Sequence, residues 1–482
     1  MAKTLSTYYP VLLIALLLAM HLPFINADPD TEVSVMSRGA WTDEGLNTIQ
    51  VRNLVNHGYL SMDECDNLIK TPYFGFVLVP FYSVFGTHIW VGRLLVLACS
   101  LIMLMFWVRD SETRFFGFTI GVLALMQFHT FHFSHYSMAE MMAISWIMLG
   151  IYFLWRSAGG MNWLWAAASA TCFSLAYYSK VTFAYAVVIP FMVGFIQLIS
   201  DFKGIRTWKN LGVQTIVTGL FGTLFYFKWY VPNIRVFEMV NANQGQGRYD
   251  LSDPLGRFQF NLSEFIMTDG IEPFIILVPV ALLTSLLLPL TNNKRTLFFA
   301  LSAWLMLELH HGLLVNPPTR YLLPLFVSCA VFVAFCLSEL RTSKLRKTVV
   351  WILLLGLGGY NLSYYSASLN RRTFQIEEVQ NYLSNFDLEN KTAIGVWGTT
   401  LAAETKARSI PIWNDFNVKI NPVAEYEPIL VFCEHGPTES GQADETFGID
   451  LKLESDSVRQ FDLWRYKVNL FWFSQQKKGA TQ

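Results

Sequence analysis

The chain has 482 residues, of which 53% are hydrophobic, 15% aromatic and only 15% charged, with a formal net charge of -1. An ordinary soluble domain carries about 25% charged residues, so this composition excludes a simple soluble protein. The near-neutral balance gives no support to nucleic-acid binding, and the clustering of apolar residues into long blocks marks a membrane protein.

A helix needs about 20 apolar residues to cross a hydrocarbon core. Such runs lie near 9–27, 89–108, 115–133, 137–155, 162–179, 181–199, 211–231, 271–290, 296–315, 320–338 and 346–366. The expected fold is therefore an α-helical polytopic membrane protein of about 11 transmembrane helices. The first run has the look of a signal peptide, with Lys3 ahead of it and Ala27 at the end. Ile25 fits the small-residue cleavage rule poorly and further spans follow, so the run reads as a retained helix.

The loop 28–88 opens with WTDEG, Trp41 to Gly45. Thr42 stands where an N-cap would, ahead of Leu46, Ile49 and Leu54 at helical spacing and Gly58 at the end of the run, so Asp43 and Glu44 read as favourable first-turn charges. The run 73–85 is short and rich in Pro, Gly and Tyr, and reads as a helix lying in the membrane interface. Farther on, HTFHFSHYSMAE spaces His129, His132 and His135 three apart just before Glu140. That spacing is compatible with a metal on a continuous helix, but hydrogen-bonding or interfacial histidines are the favoured reading.

Alternate loops carry the basic residues: Arg109 and Arg114; Arg156; Lys203, Arg206 and Lys209; Lys294 and Arg295; then Arg341, Lys344, Arg346 and Lys347. The positive-inside rule puts these in the cytoplasm. The loop 28–88 and the tail after about 366 are then outside. From Thr373 to Phe473 the composition is that of a soluble domain, with strand-like runs at Thr392–Val396 and Pro428–Phe432. The expected layout is a transmembrane domain over 1–366 and a small extracytoplasmic α/β domain over 367–482. Four of the six cysteines fall inside spans; Cys65 and Cys433 lie outside, where a disulfide between loop and tail is open in an oxidising compartment.

With this orientation Arg93, Glu140, Lys180, Lys228, Glu308 and Arg320 fall at the outer ends of their helices, beside Asp43, Glu44 and Lys70. One such cation alone is a snorkelling side chain. Charges from so many segments at one leaflet indicate a shared polar cavity, in which cations hold a phosphate and a carboxylate takes a proton from a hydroxyl.

At these residues the sequence resembles a family. WTDEGLNTIQVRNLVNHGYL is similar to the first outer-loop motif of GT-C glycosyltransferases of the protein O-mannosyltransferase and aminoarabinose-transferase type, where Asp-Glu precedes an amphipathic juxtamembrane helix. Lys70-Thr71-Pro72-Tyr73 through Phe85-Gly86 resembles the Lys-Pro-Pro stretch and the apolar segment after it. Arg93 sits like the arginine opening the second helix, Glu140 like the second-motif acid, and Leu175–Lys180 like the Leu-Thr-Lys turn. Pro318-Thr319-Arg320-Tyr321-Leu322-Leu323-Pro324 looks like the late Arg-Tyr-x-x-Pro motif. The pattern covers roughly residues 1–366, in short and degenerate motifs. In the aminoarabinose-transferase branch an acid commonly precedes the lysine, where this chain has Ile69, and Thr71 replaces the first proline. That departure counts against a metal site relying on the acid.

The resemblance implies transfer of a sugar from a polyprenyl-phosphate carrier to an acceptor hydroxyl of a lipid, glycan or protein, on the outer face and with inversion. Asp43 is the expected base, Glu44 orients it, and Glu140 is the second carboxylate, with a divalent metal ion between Asp43 and Glu140 left open. Lys70, Arg320 and Tyr321 are expected on the donor phosphate, with Arg93 and Lys180 as further candidates. The expected location is a bacterial inner membrane with the site facing the periplasm or exterior. A sugar or lipid transporter, or flippase, is the rival class; it predicts midplane sites and inverted repeats, and neither pattern is found. A non-catalytic scaffold is the third reading. The sequons at Asn261, Asn361 and Asn390 do not separate a bacterial membrane from a eukaryotic lumen.

Overall fold

A computed structural model describes residues 2–34, 39–62, 64–158, 163–200, 205–244, 252–266, 277–279, 281–282, 292–314, 319–340, 344–412, 416–417, 421–434, 447 and 449–473. The helix α1 covers Ala2–His21, and the first loop contributes α2 (Ala40–His57), α3 (Asn67–Lys70) and α4 (Pro72–Phe85). Then follow α5 (Ile89–Arg109), α6 (Arg114–Ile120), α7 (Phe128–Phe133), α8 (Ala139–Ala158), α9 (Trp163–Ser179), α10 (Ile189–Ser200) and α11 (Ile205–Phe225). Next come α12 (Ile234–Gln244), α13 (Pro254–Ile266), α14 (Asn292–Glu308), α15 (Thr319–Leu340) and α16 (Lys344–Arg371).

Among the described residues four segments are helical, long and apolar enough to cross a membrane: Ile89–Arg109, Ala139–Ala158, Val181–Ile199 and Arg320–Leu340. The windows in Ala139–Ala158 and Arg320–Leu340 are 78% and 83% buried, against 44% for Ile89–Arg109. So α8 and α15 form the centre of the bundle and α5 its edge. Large apolar side chains stand exposed on α5 (Ile102, Met105), α11 (Leu220, Leu224) and α16 (Ile352, Leu355), a surface suited to lipid rather than water. The expected run 115–133 is a broken element: α6 passes into a π turn at Gly121–Leu125 before α7 begins. The expected run 271–290 lies almost wholly outside the described residues.

The tail carries a five-stranded sheet in the order β2-β1-β3-β5-β4. The strands are β1 (Thr392–Ile394), β2 (Arg408–Ile410), β3 (Leu430–Glu434), β4 (Ser457–Leu463) and β5 (Tyr466–Trp472). β1 pairs in parallel with β2 and β3, whereas β3–β5 and β5–β4 are antiparallel. The sheet buries both faces, since alternate residues of β3 enter different clusters: Leu430 and Phe432 on one side, Val431 and Cys433 on the other. The helices α17 (Gln375–Leu383) and α18 (Gly398–Leu401) contribute Val379, Leu383 and Leu401 to the first of these clusters.

Trp41, Leu46 and Ile49 of α2 complete that same cluster. The apolar stripe read from the sequence therefore packs into the core of the sheet domain. Val51, on another face of α2, belongs to the core of the helical bundle together with Leu68, Phe74 and Leu78. The helix is thus wedged between bundle and sheet. Its start differs from the sequence reading: helical residues begin at Ala40, with Gly39 as N-cap at φ 51°, so Thr42 lies in the first turn. Gly58, at φ 64°, ends it as expected, its N–H bonded to Leu54 O.

Polar straps fasten the loop to the tail. The Asp28 carboxylate accepts from Thr373 Oγ1 (2.7 Å), Gln375 N (2.6 Å) and Ile376 N (3.0 Å) at the start of α17. Arg408 Nη2 donates to Glu64 Oε1 at 2.6 Å. No disulfide joins loop and tail: Cys65 lies with Trp41 and Leu46 in the cluster on one face of the sheet, and Cys433 lies on the other. Burial pushes the Cys65 thiol up to about 12. A thiol this protonated and enclosed should resist maleimide at neutral pH. Mass mapping is expected to find Cys65 unlabelled in the folded protein and labelled only after denaturation.

Candidate active site

A charged side chain withdrawn from water needs an opposite charge and hydrogen bonds. The structure satisfies the charges gathered at the first-loop end of the bundle in two separate groups.

The first is structural. Arg93, one turn into α5, donates from Nε to Glu44 Oε1 at 2.9 Å and from Nη2 to Glu44 Oε2 at 2.5 Å. Its Nη1 reaches the carbonyls of Phe24 (3.2 Å), Ile25 (3.0 Å) and Ala27 (2.6 Å), just beyond α1. Glu44 Oε1 also accepts from Ser137 N at 2.6 Å, just ahead of α8. The Glu44 and Arg93 side chains are 1% and 2% exposed. Both Glu44 oxygens and the Arg93 fork are engaged within the chain, and the pair acts as a rivet that joins the ends of α1, α2, α5 and α8.

The second group is the candidate site. Asp43, in the first turn of α2, pairs with Arg320 Nη1 at the start of α15. Arg320 Nε lies 3.9 Å from Glu140 Oε1 at the start of α8, and Lys180 Nζ, just past α9, donates to the same Glu140 oxygen at 2.5 Å. The Tyr321 ring lies beneath both cations, with its centroid 5.0 Å from Arg320 Cζ and 5.1 Å from Lys180 Nζ. Two acids and two bases from four segments thus meet, with the two cations over one aromatic ring. Glu140 Oε2 is buried and has no hydrogen-bond partner among the described residues. A buried carboxylate oxygen can accept one more hydrogen bond.

The other expected residues fall elsewhere. Lys70 is engaged by Asp66, the residue just ahead of α3, so this chain places an acid near the lysine four positions earlier rather than at Ile69. Glu308 is fully buried and is held by Tyr185 and by Trp304 Nε1 (2.6 Å), with His311 Nδ1 2.9 Å away. Lys228 is exposed on the turn Tyr226–Tyr230. Pro318 lies outside the described residues.

The histidines hold the fold together. His132 Nε2 is 3.1 Å from Ser368 Oγ on α16 and 3.7 Å from Asp30 Oδ2, and His135 Nδ1 is 2.9 Å from His21 Nδ1 on α1. This agrees with the hydrogen-bonding reading of the motif. Among the described residues no group of three or more His, Cys, Asp or Glu side chains could hold a metal ion. Asp43 and Glu140 do not fit a divalent ion either, because Arg320 and Lys180 already supply the positive charge at these carboxylates. A cavity of about 240 Å³ lies beside the rivet, lined by Asp28, Trp90, Arg93, Glu377 and Glu404 among others; it contains none of Asp43, Glu140, Lys180 and Arg320.

Two residues escaped the sequence reading. Ser137 contributes only its backbone N–H to Glu44, which no side-chain pattern reveals. Arg52 is 3% exposed and donates to Gly45 O (3.3 Å) and to Thr399 O. An arginine on an amphipathic loop helix gives no sign that it will be buried.

No family model matches the chain, and no curated protein matches it. Among solved structures it is similar to ArnT from Cupriavidus metallidurans in the apo state, at TM-score 0.64 and 13% identity over 96% of this chain and 98% of that one. The form of ArnT bound to undecaprenyl phosphate gives TM-score 0.63 at the same identity and coverage. An oligosaccharyltransferase from Archaeoglobus fulgidus, in complex with zinc and sulfate, gives TM-score 0.54 at 11% identity, over 81% of this chain and 63% of that one. These are GT-C glycosyltransferases, and this chain shares their fold. It is an integral membrane protein.

The two charge groups differ in what they do for stability. Glu44→Gln leaves the Arg93 guanidinium buried without its counter-charge and is expected to destabilise by about 3–5 kcal/mol. Asp43→Asn, at a partly accessible pair, is expected to cost much less. Thermal unfolding of both variants in the same detergent checks the ranking.

Proposed function

We propose that the protein is a membrane glycosyltransferase that moves a sugar from a polyprenyl-phosphate carrier to an acceptor hydroxyl. The reading gives the chain eleven spans and places the site on the periplasmic or outer face of a bacterial inner membrane. The observation that carries it is the Asp43–Arg320–Glu140–Lys180 cluster with its orphaned Glu140 Oε2, set where the loop 28–88 meets the ends of the membrane helices. The fold shared with ArnT, which has been crystallised with undecaprenyl phosphate, supports the choice of carrier.

The chemistry follows from the charges. In a glycosyl phosphate the leaving group is already a weak base, so breaking the bond from the anomeric carbon to the phosphate oxygen calls for positive charge rather than for a proton donor. Arg320 and Lys180 supply that charge, with Tyr321 beneath them and Lys70 as an outer contact. The acceptor oxygen attacks the anomeric carbon from the opposite face, its proton passes to Asp43, and the polyprenyl phosphate departs with the electron pair of the broken bond. A single displacement inverts the centre. Glu140 Oε2 accepts a hydroxyl of the sugar or acceptor and orients it. The carrier phosphate competes with Asp43 and Glu140 for the Arg320 guanidinium.

Two substitutions separate the roles. Asp43→Asn is expected to abolish transfer while the protein still binds undecaprenyl phosphate. Arg320→Ala is expected to deplete polyprenyl phosphate or its glycosylated form among lipids that co-purify in mild detergent, measured by mass spectrometry against wild type. Full transfer by Asp43→Asn, or undiminished carrier lipid on Arg320→Ala, would remove the corresponding assignment.

A further inference from the structure

Asp43 lies on a helix gripped from two sides, and the grip from the sheet domain is the closer one. Gly45, two residues on, faces the turn that opens α18. A Cβ at this position would stand 2.3 Å from Thr400 Oγ1 and 2.5 Å from the backbone carbonyl carbon of Thr399. A side-chain atom can rotate away from such a contact, but a backbone carbon cannot. Even a methyl group at position 45 must therefore push α2 and the sheet domain apart.

Polar contacts fix the helix along its length. Thr400 Oγ1 donates to Thr42 O at 3.4 Å. Arg52 Nη2 bridges Gly45 O (3.3 Å) and Thr399 O, tying two elements more than 340 residues apart in sequence. Asn53 Nδ2 donates to Ser409 O of β2 at 2.9 Å. Contacts at positions 42, 45, 52 and 53 span about three helical turns, which prevents α2 from sliding or rolling against the sheet. Asp43 lies between the first two of them.

We propose that the C-terminal sheet domain positions Asp43: the close contact of Gly45 with Thr399 and Thr400, together with the Arg52 bridge, sets the register of α2 and so the approach of the Asp43 carboxylate to Arg320. Gly45 and Arg52 are positioning residues. The bearing on turnover rests on Asp43 being the reacting carboxylate, as proposed above; the positioning itself does not. The rival arrangement is that the Glu44–Arg93 rivet alone sets α2 and the sheet domain rides on it, in which case displacing the sheet leaves the pair untouched.

The test is a double-mutant cycle on the full-length protein in detergent. Asp43→Asn, Arg320→Gln and the double variant are melted in the wild-type background and again with Gly45→Ala. The expected result is a non-additive Tm shift in wild type that is lost with Gly45→Ala. A coupling that survives Gly45→Ala undiminished overturns the proposal, as does an additive cycle in wild type. Should Gly45→Ala fail to fold, Arg52→Met and Arg52→Lys replace it: loss of coupling in the first and its recovery in the second are expected, and equal coupling in both overturns the proposal. Undecaprenyl phosphate binding is measured on the same wild-type preparation. Its absence would sink the glycosyltransferase reading while leaving the coupling result to stand or fall alone.

Discussion

The structure turns on one buried ion pair. Glu44 and Arg93 are withdrawn from solvent almost completely, and their fork of hydrogen bonds is shared with three carbonyls beyond α1 and one N–H ahead of α8. Removing two charges from water is costly, and the cost is offset only when every donor and acceptor finds a partner in good geometry. Five distinct contacts to Glu44 and to backbone groups leave Arg93 little freedom. The ends of α1, α5 and α8 are thereby brought to the same point as the first turn of α2. Because α8 begins beside this point and carries Glu140 in its first turn, the rivet also sets where the second carboxylate stands.

Successive residues on a helix point about 100° apart, so adjacent acids cannot face the same partner. Glu44 turns to the rivet and Asp43 to Arg320. This division explains why two acids stand side by side in the first turn of α2. One is buried and secures the fold; the other remains partly accessible beside the cations. The helix that bears them has an apolar face as well, and it faces the sheet domain rather than lipid: Trp41, Leu46 and Ile49 pack with Val379, Trp397 and Leu401.

The gross design was legible because charge inside apolar blocks is conspicuous. Glu140, Lys180 and Arg320 stood out at the ends of their runs, and the structure does bring them together with Asp43 and Tyr321. Pairing was not legible, since the partners lie 40 to 277 positions apart and composition carries no information on which cation meets which anion. Nor does composition reveal that Asp43 and Glu44, adjacent in sequence, meet different partners. Arg52 and Ser137 failed for another reason: what they contribute is a contact to or from the backbone, and backbone groups have no sequence signature. The strands of the tail were recognisable from Thr392 and Pro428, but the interleaved order β2-β1-β3-β5-β4 depends on tertiary packing.

The electrostatics of the cluster bear on why it takes this form. Asp43 and Glu140 balance Arg320 and Lys180 charge for charge, so the cluster is formally neutral. Unpaired, either cation would carry a large desolvation penalty, and either acid would tend to take up a proton. Pairing offsets that penalty at all four groups. It also means that an anion can enter only by competing for cations already engaged. Lys180 is buried against Glu140, while Arg320 is shared between two carboxylates, one held only at 3.9 Å. The five donors of the guanidinium can hold a phosphate without releasing every protein contact at once. In the proposed reaction the carrier phosphate enters by an exchange of partners at Arg320.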